Sequence, residues 1–182
     1  MSTVHGIEHV GITVPDVAAA TAFFEQVFDA EPLFDLLDGE PEPGDETGHD
    51  LDLEAALGVR RGAQPGVVRM LRLGDGPNIE LFEFRGTPQR EPVVSSDLGV
   101  QHIAVSVDDV DAIAARVLAA GGTLLSGPHD LPGPAAGPGN VFRYTRAPWG
   151  TTIELVSIPS SQVYERATRL RRWRPERRRR RV

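Results

Sequence analysis

The sequence predicts an α+β fold of two tandem βαβββ modules whose strands form a curved mixed sheet. Three observations carry that expectation. Ile7-Glu8-His9-Val10-Gly11-Ile12-Thr13-Val14 returns as Val100-Gln101-His102-Ile103-Ala104-Val105-Ser106-Val107, with one histidine at the same place in an alternating strand pattern. Asn78-Ile79-Glu80-Leu81-Phe82-Glu83-Phe84 returns as Thr152-Ile153-Glu154-Leu155-Val156-Ser157-Ile158, with glutamate third in both copies. Between each histidine strand and its glutamate strand the same kinds of element recur in the same order.

Taken in order, residues 7–14 alternate as a strand, and Pro15-Asp16 ends it and opens a helix over 16–29. Val17, Ala20, Phe24, Val27 and Phe28 give that helix one apolar face. A short strand near 31–37 follows, then an acidic, Gly/Pro-containing insertion over 38–66 with a short helix at 50–57. The first module closes with a hairpin: Val67–Leu73, a turn at Gly74-Asp75-Gly76-Pro77, and 78–84. In the second half a strand at 100–107 leads to Asp108-Asp109, read as helix caps, and to a helix reaching Ala120 with Val110, Ile113, Val117 and Leu118 inward. Gly121-Gly122 stops the helix before a strand near 123–126. A Gly/Pro-rich loop over 127–140, without a helix signal, precedes the second hairpin: 141–146, a turn at Ala147-Pro148-Trp149-Gly150, and 151–158. The resulting division is a first module at 1–86 that includes the insertion, a linker at 87–99, a second module at 100–160 and an arginine-rich tail at 161–182.

Composition narrows the chemistry. Cysteine is absent, which excludes disulfides, thiolate metal sites and a cysteine nucleophile, so any metal must sit on nitrogen and oxygen. Lysine is also absent, and coding bias toward arginine accounts for it. No apolar run approaches the roughly 18 residues of a membrane span, and the N-terminus carries neither a basic region nor an apolar stretch, so a soluble, cytoplasmic protein is expected. The net charge of −7 hides an asymmetry: residues 1–160 hold 9 arginines against 24 acids, whereas 161–182 hold 10 arginines against 2 acids. That tail can bind an acidic surface electrostatically, but no base-reading motif accompanies it, and the favoured reading is a disordered, solvated terminus, with docking of Tyr164 to Pro175 over the acidic body of its own chain or of a partner as a variant of it. Specific nucleic-acid binding is not expected.

Two histidines and two carboxylates at matched positions suit a divalent transition metal. A single strand histidine is more often a solvated or hydrogen-bonded residue, and a single glutamate between apolar neighbours commonly faces water. The doubled pattern favours a cleft built around a metal. His5, His49 and His129 lack such a repeat, and only His129 is placed to line a cleft mouth. Arg60, Arg61, Arg69 and Arg72 cluster about the third strand, as a solvated face or as a contact to an anionic substrate group. The glycines at 74–76 and 133–139 do not follow the strand, glycine-rich turn and helix order of a nucleotide site.

These features, with the Pro-Trp-Gly turn before the last strand, resemble the vicinal oxygen chelate superfamily, which includes glyoxalase I, methylmalonyl-CoA epimerase, extradiol dioxygenases and bleomycin-resistance proteins. The resemblance covers about residues 7–158. It implies His9, Glu80, His102 and Glu154 as ligands of one divalent ion (Zn, Ni, Co, Mn or Fe), a set closest to that of glyoxalase I. Methylmalonyl-CoA epimerases usually carry glutamine where Glu80 stands. It also implies a lyase or isomerase that transfers a proton on a small substrate with vicinal oxygens, with Glu154 first and Glu80 second as the base, and Glu54 as a further candidate acid. A homodimer is expected. The alternatives are an Fe(II)-dependent dioxygenase and a non-enzymatic protein that binds a small molecule or an antibiotic.

Overall fold

The computed structural model describes residues 3–38 and 53–175. It divides into two compact units, residues 1–25 with 29–90 and residues 26–28 with 91–182. Each is an α+β unit with its own mixed sheet, as the sequence predicts.

The first unit runs β1 (His9–Thr13), α1 (Val17–Phe28), β2 (Glu31–Asp38), α2 (Leu53–Leu57), β3 (Gln64–Arg72) and β4 (Asn78–Arg85). Its sheet has the order β1-β4-β3-β2, with β1 parallel to β4 and the other pairs antiparallel. α1 starts where it does because the Asp16 side chain accepts the Ala19 N–H at 2.8 Å. It stops because Asp29 turns left-handed, at φ 54°, a conformation that Asp tolerates better than most residues. Val17, Ala20 and Phe24 are at most 1% exposed, and with Ile12, Leu71, Ile79 and Leu81 they make the apolar core. Burial of each larger side chain contributes about 1.5–3 kcal/mol. β3 begins three residues before the predicted strand, so Gln64–Gly66 belong to the sheet rather than to the insertion; the register slips there, between Pro65 and Val68.

The second unit runs β5 (Ile103–Ser106), α3 (Val110–Ala119), β6 (Thr123–Leu124), β7 (His129–Asp130), a 3-10 turn (Gly133–Ala135), β8 (Val141–Arg146), β9 (Thr152–Ser157) and a second 3-10 turn (Val163–Arg166). The order is β5-β9-β8-β6, with β5 parallel to β9 and β7 also paired to β8. Asp109 alone caps α3, accepting from the N–H groups of Asp111 and Ala112. The carbonyl of Asp108 instead accepts the Ser157 hydroxyl. α3 packs on β6, β8 and β9 through Val110, Ala114 and Val117. Leu118, expected inward, is 53% exposed, because at 3.6 residues per turn it lies about 70° round the helix from the line of Val110, Ala114 and Val117. The turn into β6 needs glycine: a Cβ on Gly122 would lie 2.6 Å from the Arg146 carbonyl oxygen. The loop read as irregular holds β7 and a 3-10 turn, tied down by buried Asn140. Among the described residues no helix is long and apolar enough to cross a membrane.

Candidate functional site

Register places the matched residues identically in the two units. Glu80 lies opposite Gly11 in the parallel pair β1/β4, and Glu154 opposite Ala104 in β5/β9. Paired positions share a sheet face, as do residues two apart, so His9 joins Glu80 and His102 joins Glu154. In the first unit His9 Nε2 is 3.2 Å from Glu80 Oε2, and in the second His102 Nε2 is 3.4 Å from Glu154 Oε2. Both carboxylates are largely buried, with side chains 12% and 13% exposed. The opposite faces carry the apolar residues Leu81 and Leu155, both fully buried.

Around the first pair, Glu8 contacts His9 Nδ1 and also accepts a hydrogen bond from the Asn78 side chain at 3.1 Å. The contact to Glu8 raises the His9 pKa above its ordinary value, burial opposes this, and the charge of Glu80 adds to the rise. Glu8 is held below the usual glutamate range, chiefly by His9 and then by Asn78. Gly11 leaves room for the Phe82 ring, which a Cβ there would meet at 3.3 Å.

Around the second pair the neighbours differ. His102 Nδ1 is buried without a hydrogen-bond partner. Its ring meets Tyr144 edge to face at 5.3 Å, Tyr144 meets Phe142 at 5.8 Å, and Phe142 meets His129 at 5.6 Å. Tyr144 is the cross-strand partner of Glu154. Burial, and then the charge of Glu154, push its phenol above the ordinary tyrosine value, so it stays protonated at neutral pH.

The remaining candidates separate. His129 is exposed and opposes Phe142 on the face that carries Glu154. His5 is exposed in the N-terminal segment. His49 and the side chain of Glu54 lie outside the described residues. Arg69 opposes Leu81, on the face away from His9, and is held by Asp35 at 2.6 and 2.7 Å. Arg60 donates to the Pro88 carbonyl oxygen, and Arg72 binds the Gly74 carbonyl oxygen in its own turn. Among the described residues no three histidines and carboxylates gather into a ready metal cage. The structure presents two pairs.

Glu8, Asn78 and Tyr144 were not singled out by the sequence. Counting back across the predicted Ala147–Gly150 turn pairs Arg146 with Thr151 and Tyr144 with Ile153; Thr151 belongs to the turn as well, bonded to the Ala147 N–H, and this shift of one residue sets Tyr144 opposite Glu154.

The sequence model of the glyoxalase/bleomycin resistance protein/dioxygenase superfamily matches residues 6–155. A curated relative, the 2-epi-5-epi-valiolone epimerase of an Actinomyces species, is 36% identical over 173 residues, which is 93% of this chain and 88% of that protein. Two solved structures share the fold. A glyoxalase family protein from Bacillus cereus superposes with a TM-score of 0.62 at 19% identity, covering 86% of this chain and 95% of that one. A glyoxylase/bleomycin resistance protein/dioxygenase domain from Frankia sp. superposes with a TM-score of 0.58 at 17% identity, covering 85% and 98%.

Proposed function

The chain belongs to the glyoxalase/bleomycin resistance protein/dioxygenase superfamily, and we propose that within it the protein is a metal-dependent epimerase acting beside the ketone of a polyhydroxylated small molecule. The observation that carries this reading is the 36% identity to the 2-epi-5-epi-valiolone epimerase across 93% of the chain. That likeness favours the epimerase side of the sequence expectation, although Glu80 is the glutamate of the glyoxalase I pattern. A name of that form denotes a hydroxylated ketone inverted at one carbon. Inversion beside a carbonyl needs a proton taken from one face of the carbon and returned to the other.

The donor set fits a divalent ion. An ion about 2.1 Å from each donor atom holds nitrogen and oxygen about 3.0–3.4 Å apart in octahedral or tetrahedral geometry. The two pairs stand at 3.2 and 3.4 Å. Glu8 on Nδ1 of His9 is the kind of carboxylate support that orients a histidine ligand. His9, Glu80, His102 and Glu154 would hold the ion, one of Zn, Ni, Co, Mn or Fe, and it would supply Lewis-acid withdrawal of charge from the ketone oxygen.

The chain's own groups then move the proton. Glu154 is the base that removes it, and Glu80, its counterpart in the other unit, is the second carboxylate that inversion calls for. The Tyr144 phenol, protonated beside Glu154, donates a hydrogen bond to a substrate oxygen as negative charge develops there. Leu33, Phe34 and Leu36, exposed on the edge strand β2, support self-association into a homodimer.

The test is direct. Purified protein, supplied in turn with each divalent ion, is incubated with 2-epi-5-epi-valiolone in deuterium oxide and followed by NMR. Deuterium should enter at the carbon beside the ketone while the epimer accumulates. Absence of both with every ion would remove this reading.

A further inference from the structure

The arginine-rich C-terminal stretch takes no part in the reaction above, yet its described portion is firmly fastened to the second unit. Ser160 donates from its N–H and its hydroxyl to Oδ1 of fully buried Asn140, at 3.1 and 3.0 Å. The side chain of Gln162, 3% exposed, donates to the Ala135 carbonyl oxygen at 3.1 Å, and its backbone N–H donates to the Glu165 carboxylate at 3.2 Å where the turn Val163–Arg166 begins. From that turn the Tyr164 hydroxyl accepts the Arg172 N–H at 2.6 Å, and Glu165 holds Arg174 at 2.8 Å and Arg171 at 3.5 Å. These contacts fold the chain back on itself and occupy two of the arginines.

Folded back, Arg172 and Trp173 wall a cavity of about 310 Å³ whose lining includes Ala104, Ser106, Val156 and Asp108. That places it on the reacting face: Ala104 is the strand partner of Glu154, and Ser106 is the partner of Val156. Ser106 lies about 7 Å further along the strand than Ala104. The cavity therefore extends away from the His102 and Glu154 pair and is of small-molecule size. Its chemistry is selective. Trp173 is 60% exposed, so its indole is open to a bound molecule. Arg172 has no carboxylate partner among the described residues, while Ser106 and Asp108 add a hydroxyl and a carboxylate. A flat apolar ring bordered by hydrogen-bond donors and acceptors recognises a hydroxylated ring, whose C–H face lies on the indole while its hydroxyls meet the polar groups.

We propose that Arg172 and Trp173 form the end wall of the substrate site and bind the hydroxylated part of the substrate remote from the reacting carbon. The assignment of the substrate rests on the epimerase reading; the binding wall does not. Titration of myo-inositol, a hydroxylated ring without a ketone, into the purified protein tests the wall alone. A saturable change of indole fluorescence is expected in the native chain and should be absent in Trp173→Phe, where Trp149 is the remaining reporter. No saturable change in the native chain, its persistence in Trp173→Phe, or the same change with inorganic phosphate in place of the polyol overturns the proposal. In turnover, Arg172→Ala and Trp173→Ala should each raise KM for the polyhydroxylated ketone about 10-fold, with kcat within about twofold. Exchange of the proton beside the ketone of 2-hydroxycyclohexanone, which lacks the distal hydroxyls, should not change. Equal losses on both ketones would reduce the segment to a support of the fold and overturn the proposal. Binding of inositol through Trp173 without exchange on either ketone would uphold the wall while removing the epimerase reading.

Discussion

In the first unit the histidine ring is gripped from both sides, Nε2 toward Glu80 and Nδ1 on Glu8, whereas in the second only Nε2 has a polar partner. Gln101 stands where Glu8 stands in the first copy, and Thr152 stands where Asn78 does. The strands opposite the two glutamates differ as well: Met70 faces Glu80, and Tyr144 faces Glu154. One register thus carries two environments. The Glu8 carboxylate, itself held by the Asn78 amide, fixes the orientation of the first histidine, which suits a ligand. The protonated Tyr144 phenol lies beside the second glutamate, which suits a group that must exchange a proton with substrate.

The sharpest way to break that contrast is to neutralise each glutamate in turn. Glu154→Gln should lower kcat by about 10²–10⁴-fold, the usual loss on removing a general base, while most of the metal stays bound. Glu80→Gln should act first on metal affinity. Turnover by NMR and metal content by elemental analysis, measured on the same samples, read the two effects separately. Equal loss of metal in both variants would leave Glu154 a ligand only and the two halves equivalent.

A second experiment exchanges the support of the two histidines. Glu8→Gln should weaken metal binding about 10–100-fold, and Gln101→Glu should strengthen the second half. The pH dependence has a definite sign. Because Glu8 raises the His9 pKa above 6.5, a proton competes for His9 from above that pH, and metal affinity falls as pH is lowered through the raised value. Removing Glu8 shifts the fall to lower pH. In the metal-free protein the same raised pKa gives stability that is fully present below 6.5 and lost as pH rises through the folded-state value. Calorimetric metal titrations from pH 5 to 8 check the direction, and an unchanged midpoint in Glu8→Gln would show that Glu8 does not govern this half.

The fold and the two pairs were legible because both are written in short-range periodicity. Alternation puts His9 on the face of Gly11, and repetition raises four ordinary residues to a pattern. What escaped depends on pairing or on return contacts. Glu8 precedes the histidine and reads as a solvent-facing strand residue, and its contact with His9 appears only because the strand begins at His9 and leaves the preceding residue outside it. Tyr144 reads as a core aromatic until strand register sets it beside Glu154. The tail reads as solvated because ten arginines dominate it, while the residues that fold it back, Tyr164 and Glu165, are two polar side chains among many. Leu118 misled for the opposite reason, since an apolar residue at a helix end satisfies the period without being covered.

The smallest expected effect lies on the faces away from the candidate site, where the units again share a position and differ in its use. Arg69 opposes Leu81 and Arg143 opposes Leu155. Arg69 makes two short bonds to Asp35, at 2.6 and 2.7 Å, and a third to Thr21 at 3.3 Å. Arg143 reaches Asp111 at 3.3 Å, but that carboxylate is 74% exposed, and the Arg143 Nε is buried without a partner. A bidentate, partly shielded pair is worth more than a single solvated contact. Asp35→Asn should therefore cost about 1–2 kcal/mol of stability at neutral pH, and Asp111→Asn no more than about 0.5 kcal/mol. The bond to Arg69 holds the Asp35 carboxyl below its ordinary value of 3.8, so this stabilisation is present above that pH and is lost as pH falls through the lower folded-state value. Urea unfolding at pH 7 and pH 3 would show native protein and Asp35→Asn converging at the acid end. Equal costs for the two substitutions at pH 7 would mean that the shared register, rather than the partner each arginine finds, decides what these positions contribute.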